Sequence, residues 1–270
     1  MAEPQFDDIA ACVFDAYGTL FDFASTVARC RDQLGDKADQ LNTIWRAKQL
    51  EYAWTSSLMG RHSDFWHITG NALDFAFEVL GIEDLGLRAR LMQLYLNIDP
   101  FDDVTPMLER LREAGMKRVI LSNGSVTMLV SATKHAGIGE LLDDTISIEE
   151  AGVYKPHPAA YQLAVDKLKL PAHEICFLSA NGWDTSGGAA FGFQVVRVNR
   201  AGQPAEKLRI QFRDATEFFD AAAYQAARAE RRNPLAGQPA VRNKVELRKL
   251  RFEITPRVRD LDQPGLQARV

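Results

Sequence analysis

The chain has 270 residues, of which 46% are hydrophobic and 25% are charged, and its net charge is −4. This composition is ordinary for a globular protein and excludes a mainly disordered or fibrous chain. No apolar run approaches the roughly 18 residues that a membrane-spanning helix needs. The N-terminal residues also lack the basic-then-apolar layout of a signal peptide. We therefore expect no membrane association and a cytoplasmic location.

Charge is unevenly distributed along the chain. Residues 225–270 carry eleven Lys or Arg and five Asp or Glu, a net charge of +6, which leaves −10 for residues 1–224. An acidic surface repels phosphate backbones, so the body of the chain is not expected to bind nucleic acid. The basic segment is interpreted either as a solvated arm or as a binding site for an anion or an acidic partner.

The three cysteines are too few for a disulfide framework, and no two of them have C-x-x-C spacing. The histidines also lack the spacing of a zinc site. We therefore predict buried, reduced thiols at Cys12, Cys30 and Cys176.

The predicted elements begin with a buried strand and a long helical block without proline, and then alternate between helices and strands. In chain order they are strand 9–14, the helical block 24–98, helix 107–114, strand 117–121, helix 126–135, strand 144–148, helix 157–168, strand 175–178, helix 185–191 and strand 194–198.

This alternation predicts an α/β fold. We expect an open, mostly parallel, Rossmann-like sheet with helices on both faces, and an all-helical cap domain inserted after strand 1. The predicted domains are an α/β core from residues 1–23 and 99–224, a helical cap from residues 24–98, and a basic C-terminal extension from residues 225–270. A short closing strand is expected at either 209–212 or 251–254.

Polar side chains follow four of the predicted strands at the point where each strand ends. Asp15 comes directly after the first strand, and Gly18 lies in the turn that follows. Such a carboxylate is either a nucleophile beside an anion-binding turn or the residue that starts the turn. The sequence SNGS at 122–125 offers donors for a carboxylate or phosphate oxygen, or else caps the next helix.

The third and fourth clusters follow the strands at 144–148 and 175–178. Lys155, before a proline-started helix, is either a surface charge or a cation held near a carboxylate. Asp184, in the sequence SANGWD at 179–184, is interpreted as a partner of Lys155, a base that activates water, or a helix cap. Because the carboxyl ends of parallel strands lie side by side, we expect the four clusters to form one site.

In this order and spacing the clusters resemble those of the haloacid dehalogenase superfamily, and within it the type II L-2-haloacid dehalogenases. The motifs that carry the resemblance are FDAYGTLFD at 14–22, WRAKQLEY at 45–52, LSNGS at 121–125, YKP at 154–156 and SANGWD at 179–184. The resemblance implies hydrolytic dehalogenation of short L-2-haloacids to 2-hydroxy acids with inversion at C2. It also implies that the enzyme needs no cofactor and no metal ion.

Tyr17 distinguishes this reaction from phosphoryl transfer. Phosphatases of the superfamily carry a second aspartate at this position, which protonates the leaving alcohol, and they hold Mg²⁺. A halide is a weak base that leaves without a proton, so the loss of the acid is consistent with dehalogenation. Fewer carboxylates also make Mg²⁺ binding less favourable. The alternatives are a superfamily phosphatase and a non-catalytic binding protein on the same fold.

The resemblance also implies the catalytic roles. Asp15 attacks C2 of the substrate and forms an ester, and Asp184 activates the water that cleaves this ester. Lys155 holds Asp15 in its ionised form. The remaining members of the site orient these groups, and they are Thr19, Asn123, Tyr161 and Ser179.

Substrate binding is implied in the same way. Arg46 on the cap, helped by Asn181, holds the leaving halide, although an arginine on an amphipathic helix is by default a surface ion-pairing residue. Ser122 and the backbone N–H groups near Ala16 and Tyr17 bind the substrate carboxylate. An apolar pocket around the substrate side chain is assigned to Tyr17, Leu50, Phe65 and Trp183. A homodimer is expected because relatives often pair through cap helices.

Overall fold

The computed structural model describes residues 8–204, 206–208 and 213–215. All of these residues fall within residues 1–232. The predicted C-terminal extension at 225–270 lies outside the described residues, as do both segments predicted for the closing strand. Among the described helices, none is both long enough and apolar enough to cross a lipid bilayer.

Six strands of the described chain form one sheet. They are β1 (Ala11–Phe14), β2 (Lys117–Ser122), β3 (Asp144–Ser147), β4 (Ile175–Ser179), β5 (Gln194–Val198) and β6 (Arg213–Ala215). Their order in space is β3-β2-β1-β4-β5-β6, and every neighbouring pair is parallel. The predicted parallel α/β sheet is confirmed.

The central position of β1 explains why the site forms where it does. Phe14, the last residue of β1, is in register with Ile120 of β2 on one side and with Leu178 of β4 on the other. The carboxyl ends of these three strands therefore meet at one edge of the sheet. All four residues of β1 and all five of β4 are buried, which is typical of parallel strands covered on both faces.

The core helices follow the predicted alternation. They are α6 (Val104–Glu113), α7 (Val126–His135), α8 (Pro158–Leu168) and α9 (Gly182–Phe191). Pro158 opens α8 and the His157 side chain accepts a hydrogen bond from the Ala159 N–H, so the helix starts where its sequence predicts. Helices α6 and α9 each start three residues before their predicted starts. The residues interpreted as a turn before each helix form its first turn instead.

Five helices occupy the insertion between β1 and α6. They are α1 (Phe23–Ala28), α2 (Arg31–Leu34), α3 (Ala38–Leu58), α4 (Phe65–Leu80) and α5 (Leu85–Leu96). An aromatic cluster packs between them: the ring centroids of Phe23 and Trp45 are 5.4 Å apart, and those of Trp45 and Tyr95 are 5.5 Å apart. The helical insertion after strand 1 is confirmed. The three cysteines are free and buried, as predicted.

Candidate active site

Asp15 lies at the first position after β1, at the carboxyl edge of the sheet. Its backbone N–H donates to the Leu178 carbonyl of β4 at 2.9 Å, which extends the strand pairing by one residue. The chain then turns at Gly18, whose φ of +86° favours glycine. Only 6% of Asp15 is exposed. The fold therefore presents a carboxylate from the end of a rigid central strand.

Three side chains from three segments donate hydrogen bonds to the Asp15 carboxylate. Thr19 Oγ1 and Asn181 Nδ2 each lie 2.8 Å from Oδ2, and Lys155 Nζ lies 3.2 Å from Oδ1. These donors stabilise the ionised form and fix the plane of the carboxylate. The sequence clusters after β1, β3 and β4 are thus brought together, as predicted.

Lys155 also binds a second carboxylate. Its Nζ lies 2.9 Å from Asp184 Oδ2, and both side chains are fully buried. The Tyr161 hydroxyl donates to Asp184 Oδ1 at 2.7 Å. Burial raises the pKa of Asp184 to about 6, and the Lys155 ammonium offsets part of that rise. Asp184 is therefore a carboxylate whose protonation state changes near neutral pH, as a base for water requires.

Side-chain oxygens hold the loops that carry these groups. Ser179 Oγ accepts from the Asn181 N–H at 3.1 Å, and Asn123 Oδ1 accepts from the Lys155 N–H at 3.1 Å. Ser122 Oγ accepts from the Gly124 N–H at 3.1 Å. In the structure Ser179 and Asn123 therefore orient the polypeptide that supplies Asn181 and Lys155.

Arg46 reaches the site from α3. Its Nη2 lies 3.3 Å from the Tyr17 carbonyl oxygen and 3.4 Å from Asn181 Oδ1, and its Nη1 donates to Gln49 Oε1 at 2.7 Å. The guanidinium carbon lies 5.6 Å from the centroid of the Phe23 ring. The structure thus places this arginine at the junction of the insertion and the sheet edge, beside Asp15.

All the residues predicted to bind substrate except Ala16 line one small cavity. The lining residues are Asp15, Tyr17, Arg46, Leu50, Phe65, Ser122, Asn123 and Trp183.

Buried donors remain unpaired around this cavity. The Tyr17 hydroxyl and Trp183 Nε1 are buried and find no hydrogen-bond partner among the described residues. Burial raises the pKa of Tyr17 well above its ordinary value, so the hydroxyl stays protonated and can donate. The backbone N–H groups of Ala16 and Tyr17 likewise donate to no acceptor in the described part of the chain. Two residues that line the predicted apolar pocket, Tyr17 and Trp183, therefore carry unpaired donors, which suit an anionic ligand.

Three contacts of the site were not predicted from the sequence. Gln49 binds Arg46, Trp54 Nε1 donates to the Lys155 carbonyl at 3.1 Å, and the Arg200 guanidinium donates to the Thr19 carbonyl at 2.9 Å. The three-residue spacing of Arg46 and Gln49 on one helix is the signal that predicts the first contact. The other two join distant segments, and no local pattern indicates them.

Comparisons with known proteins agree with this geometry. The family model for haloacid dehalogenase-like hydrolases matches residues 9–192. (S)-2-haloacid dehalogenase 1 of Pseudomonas sp. (strain CBS-3) is 45% identical over 201 residues, covering 74% of this chain and 88% of that protein. Haloacetate dehalogenase H-2 of Moraxella sp. (strain B) is 40% identical over 201 residues, covering 74% of this chain and 90% of that protein.

A solved structure gives the same result. The L-2-haloacid dehalogenase from Xanthobacter autotrophicus with chloropropionic acid covalently bound superimposes with a TM-score of 0.75 and 34% identity, over 80% of this chain and 97% of that one. The sequence match and the shared architecture extend over the segments that carry the site. The chain therefore belongs to the haloacid dehalogenase-like hydrolase family.

Proposed function

We propose that this protein is an (S)-2-haloacid dehalogenase, which converts short L-2-haloacids to 2-hydroxy acids with inversion at C2. The observation that carries the proposal is the Asp15 carboxylate, held by Thr19, Asn181 and Lys155 beside a small cavity that Arg46 also lines. A buried, oriented carboxylate is a nucleophile, and a cationic group opposite it suits a departing anion.

In the first step, an Asp15 oxygen attacks C2 from the side opposite the halogen. The new C–O bond forms as the carbon–halogen bond breaks, and the halide leaves with the electron pair of that bond. Arg46 and Asn181 hold the halide, while Ser122 and the free N–H groups of Ala16 and Tyr17 hold the substrate carboxylate. Attack from behind inverts the configuration at C2.

In the second step, water attacks Cγ of the Asp15 ester, and the bond breaks between Cγ and the Asp15 oxygen that is joined to C2. This oxygen leaves with the product, and the water oxygen replaces it in the Asp15 carboxylate. One water proton ends on the hydroxyl of the product, and the other is released through Asp184. The Lys155 ammonium lies between the two carboxylates and stabilises both. Asp15 returns to its ionised form, so the cycle needs no external acid for the leaving halide.

The contacts of Tyr17 and Asp22 support a dehalogenase over a phosphatase. A phosphate ester needs an acid for its alkoxide, and Tyr17 occupies that position here. Asp22, the next carboxylate along the turn, accepts a hydrogen bond from the Ala24 N–H at 2.9 Å and caps α1. It is therefore engaged away from the leaving group.

We also propose the domain arrangement and the setting of the enzyme. Residues 24–98 act as a cap domain over a core formed by residues 1–23 and 99–224. The enzyme works in the cytoplasm as a homodimer and binds neither nucleic acid nor membrane.

The exposed Leu58 and Met59 at the end of α3 support a dimer that forms through the cap. Light scattering should therefore give a mass of twice the 30.2 kDa of one chain.

The proposed reaction is tested by chloride release from L- and D-2-chloropropionate, each with excess EDTA. We expect release from the L form alone, with a D-configured 2-hydroxy product, because attack at C2 in a shaped cavity accepts one enantiomer. Mg²⁺-dependent hydrolysis of a simple phosphate ester, without chloride release from either enantiomer, would instead indicate a phosphatase.

The ionisation of Asp184 predicts the acid side of the pH profile. Its pKa lies at about 6, and a protonated Asp184 can neither accept a proton from water nor balance Lys155. We therefore expect kcat to fall as the pH drops through about 6. The Tyr161 hydrogen bond lowers the pKa of Asp184, so Tyr161→Phe should move the midpoint of this fall to higher pH.

The measurement is kcat for L-2-chloropropionate as a function of pH in wild type and Tyr161→Phe. Tyr52→Phe is the matched control, since the Tyr52 ring packs against Phe75 in the insertion, with centroids 6.4 Å apart, and should leave the midpoint in place. An unchanged midpoint in Tyr161→Phe would contradict the role assigned to Asp184.

A further inference from the structure

Gln49 is a fully buried amide that the proposed mechanism leaves without a role. It lies on α3, three residues after Arg46, and none of its surface is exposed. Buried polar side chains are retained only with hydrogen-bond partners. The partners of Gln49 all lie in the helical insertion, and one of them is the arginine assigned to the halide.

The neighbours of Gln49 determine which way its amide faces. The Thr69 hydroxyl donates its single proton to the Phe65 carbonyl at 2.6 Å, so it can only accept from Gln49 Nε2, which lies 2.7 Å away. The same Nε2 donates to the Tyr95 hydroxyl at 2.9 Å. With the NH₂ group committed on one side, Oε1 must face Arg46 Nη1, which lies 2.7 Å away.

The acceptors around Arg46 are uncharged. They are the Gln49 amide oxygen, the Tyr17 carbonyl and the Asn181 amide oxygen. Among the described residues, the ion pairs do not involve Arg46. A carboxylate in the place of Gln49 would hold the guanidinium equally well but would cancel part of its charge.

We propose that Gln49 is a positioning residue for dehalogenation. It directs the Arg46 guanidinium toward the departing halide and, being neutral, leaves the positive charge available to that anion. This inference rests on the proposed function, because it takes the halide as the ligand of Arg46. The buried Gln49 amide thus fixes the direction of the Arg46 guanidinium and, unlike a carboxylate at the same position, does not offset its positive charge.

The first test compares leaving groups in Gln49→Met, which keeps the volume and loses the acceptor. We expect kcat/KM for L-2-chloropropionate to fall about 10- to 100-fold, the effect of one hydrogen bond to a charged group. The fall for L-2-bromopropionate should be smaller, because bromide is the weaker base and needs less stabilisation as it leaves. The ratio of bromide to chloride turnover should therefore rise.

Two comparisons separate positioning from a general effect on packing. Ser56→Ala removes another buried hydrogen bond of α3, from Ser56 Oγ to the Ala53 carbonyl at 2.9 Å, and should leave the leaving-group ratio unchanged. In an Arg46→Lys background, Gln49→Met should add little further loss, because the group that it positions has been replaced. Additive losses, or an unchanged ratio in Gln49→Met, would overturn the proposal.

Halide binding without turnover keeps this inference separate from the proposed function. Line broadening of the chlorine-35 resonance reports chloride bound to the free enzyme. We expect both Gln49→Met and Gln49→Glu to weaken binding, the first by misdirecting Arg46 and the second by offsetting its charge. Chloride bound as tightly by both variants as by wild type would refute the inference. If both variants bound chloride more weakly but wild type showed no dehalogenation, the proposed function would be refuted and the role of Gln49 in halide binding would stand.

Discussion

Asp15→Asn is expected to abolish halide release from L-2-chloropropionate, with a fall in kcat of about 10⁴-fold or more. The amide keeps the shape of the side chain but lacks the negative charge and the nucleophilic oxygen that attack C2 requires. Because Thr19, Asn181 and Lys155 hold this group from three segments, no neighbouring carboxylate can take its place. Chloride release under substrate saturation is the direct measurement.

A control and an isotope experiment make this result specific. Asp22→Asn changes a carboxylate in the same turn, which caps α1, and should retain turnover. In water labelled with oxygen-18, wild type should place the label first in the Asp15 carboxylate and only later in the product, as ester hydrolysis at Cγ requires. Label that enters the product in the first turnover would indicate direct attack of water on C2 and would contradict the covalent mechanism.

Lys155→Met is expected to remove activity and also to destabilise the fold. Lys155 is fully buried between Asp15 and Asp184, so its loss leaves two carboxylates close together without a cation. Breaking a buried ion pair by removing one partner costs about 3–5 kcal/mol of unfolding free energy. Halide release should fall together with stability in this variant.

The pH dependence of that destabilisation has a definite sign. Burial already raises the pKa of Asp184, and without Lys155 only the Tyr161 hydrogen bond offsets part of the rise. A carboxyl whose pKa is higher in the folded state than in the unfolded state favours folding at low pH, and this contribution is lost as the pH rises through the folded-state pKa. Urea unfolding should therefore show a larger loss, relative to wild type, near pH 8 than near pH 5.

Two further variants separate the electrostatic cause from a packing defect. Adding Asp184→Asn to Lys155→Met removes one of the repelling charges, so it should restore part of the stability while halide release stays lost. Lys167→Met breaks the exposed pair of Lys167 with Glu150, which is worth no more than about 1 kcal/mol. Equal losses in Lys155→Met at both pH values would contradict the proposed charge balance.

The sequence predicted most of the elements because their signals are local. The bounds of α7 and β5 agree with prediction to the residue, and the alternation of strands with helices indicated a parallel sheet. The position of Asp15 directly after an apolar run was enough to place it at the sheet edge. The strand Arg213–Ala215 was not predicted, because a three-residue strand has too short a pattern to distinguish it from its surroundings.

The position of Arg46 in the site could not be predicted from local sequence patterns. On its helix this residue was more typical of a surface ion-pairing arginine, and only the resemblance to a family suggested the site. The structure shows the guanidinium near Tyr17 and Asn181, which are far away in the sequence. Gln49 was overlooked, although its spacing from Arg46 indicates their contact. Its contacts with Thr69 and Tyr95 could not be predicted, since helical periodicity gives the face of a side chain and not the groups packed against it.

What the sequence by itself determined was the order of elements and the chemical type of each polar cluster, since both depend on neighbouring residues. Only the tertiary structure decided that β1 lies between β2 and β4, so that Asp15 and Lys155, 140 positions apart, share a hydrogen bond. The same packing buried Lys155 and Asp184 together and turned the Gln49 amide toward Arg46. These properties depend on which remote segments pack together and exclude water from the groups between them. Burial strengthens the hydrogen bonds of such groups and shifts their pKa values.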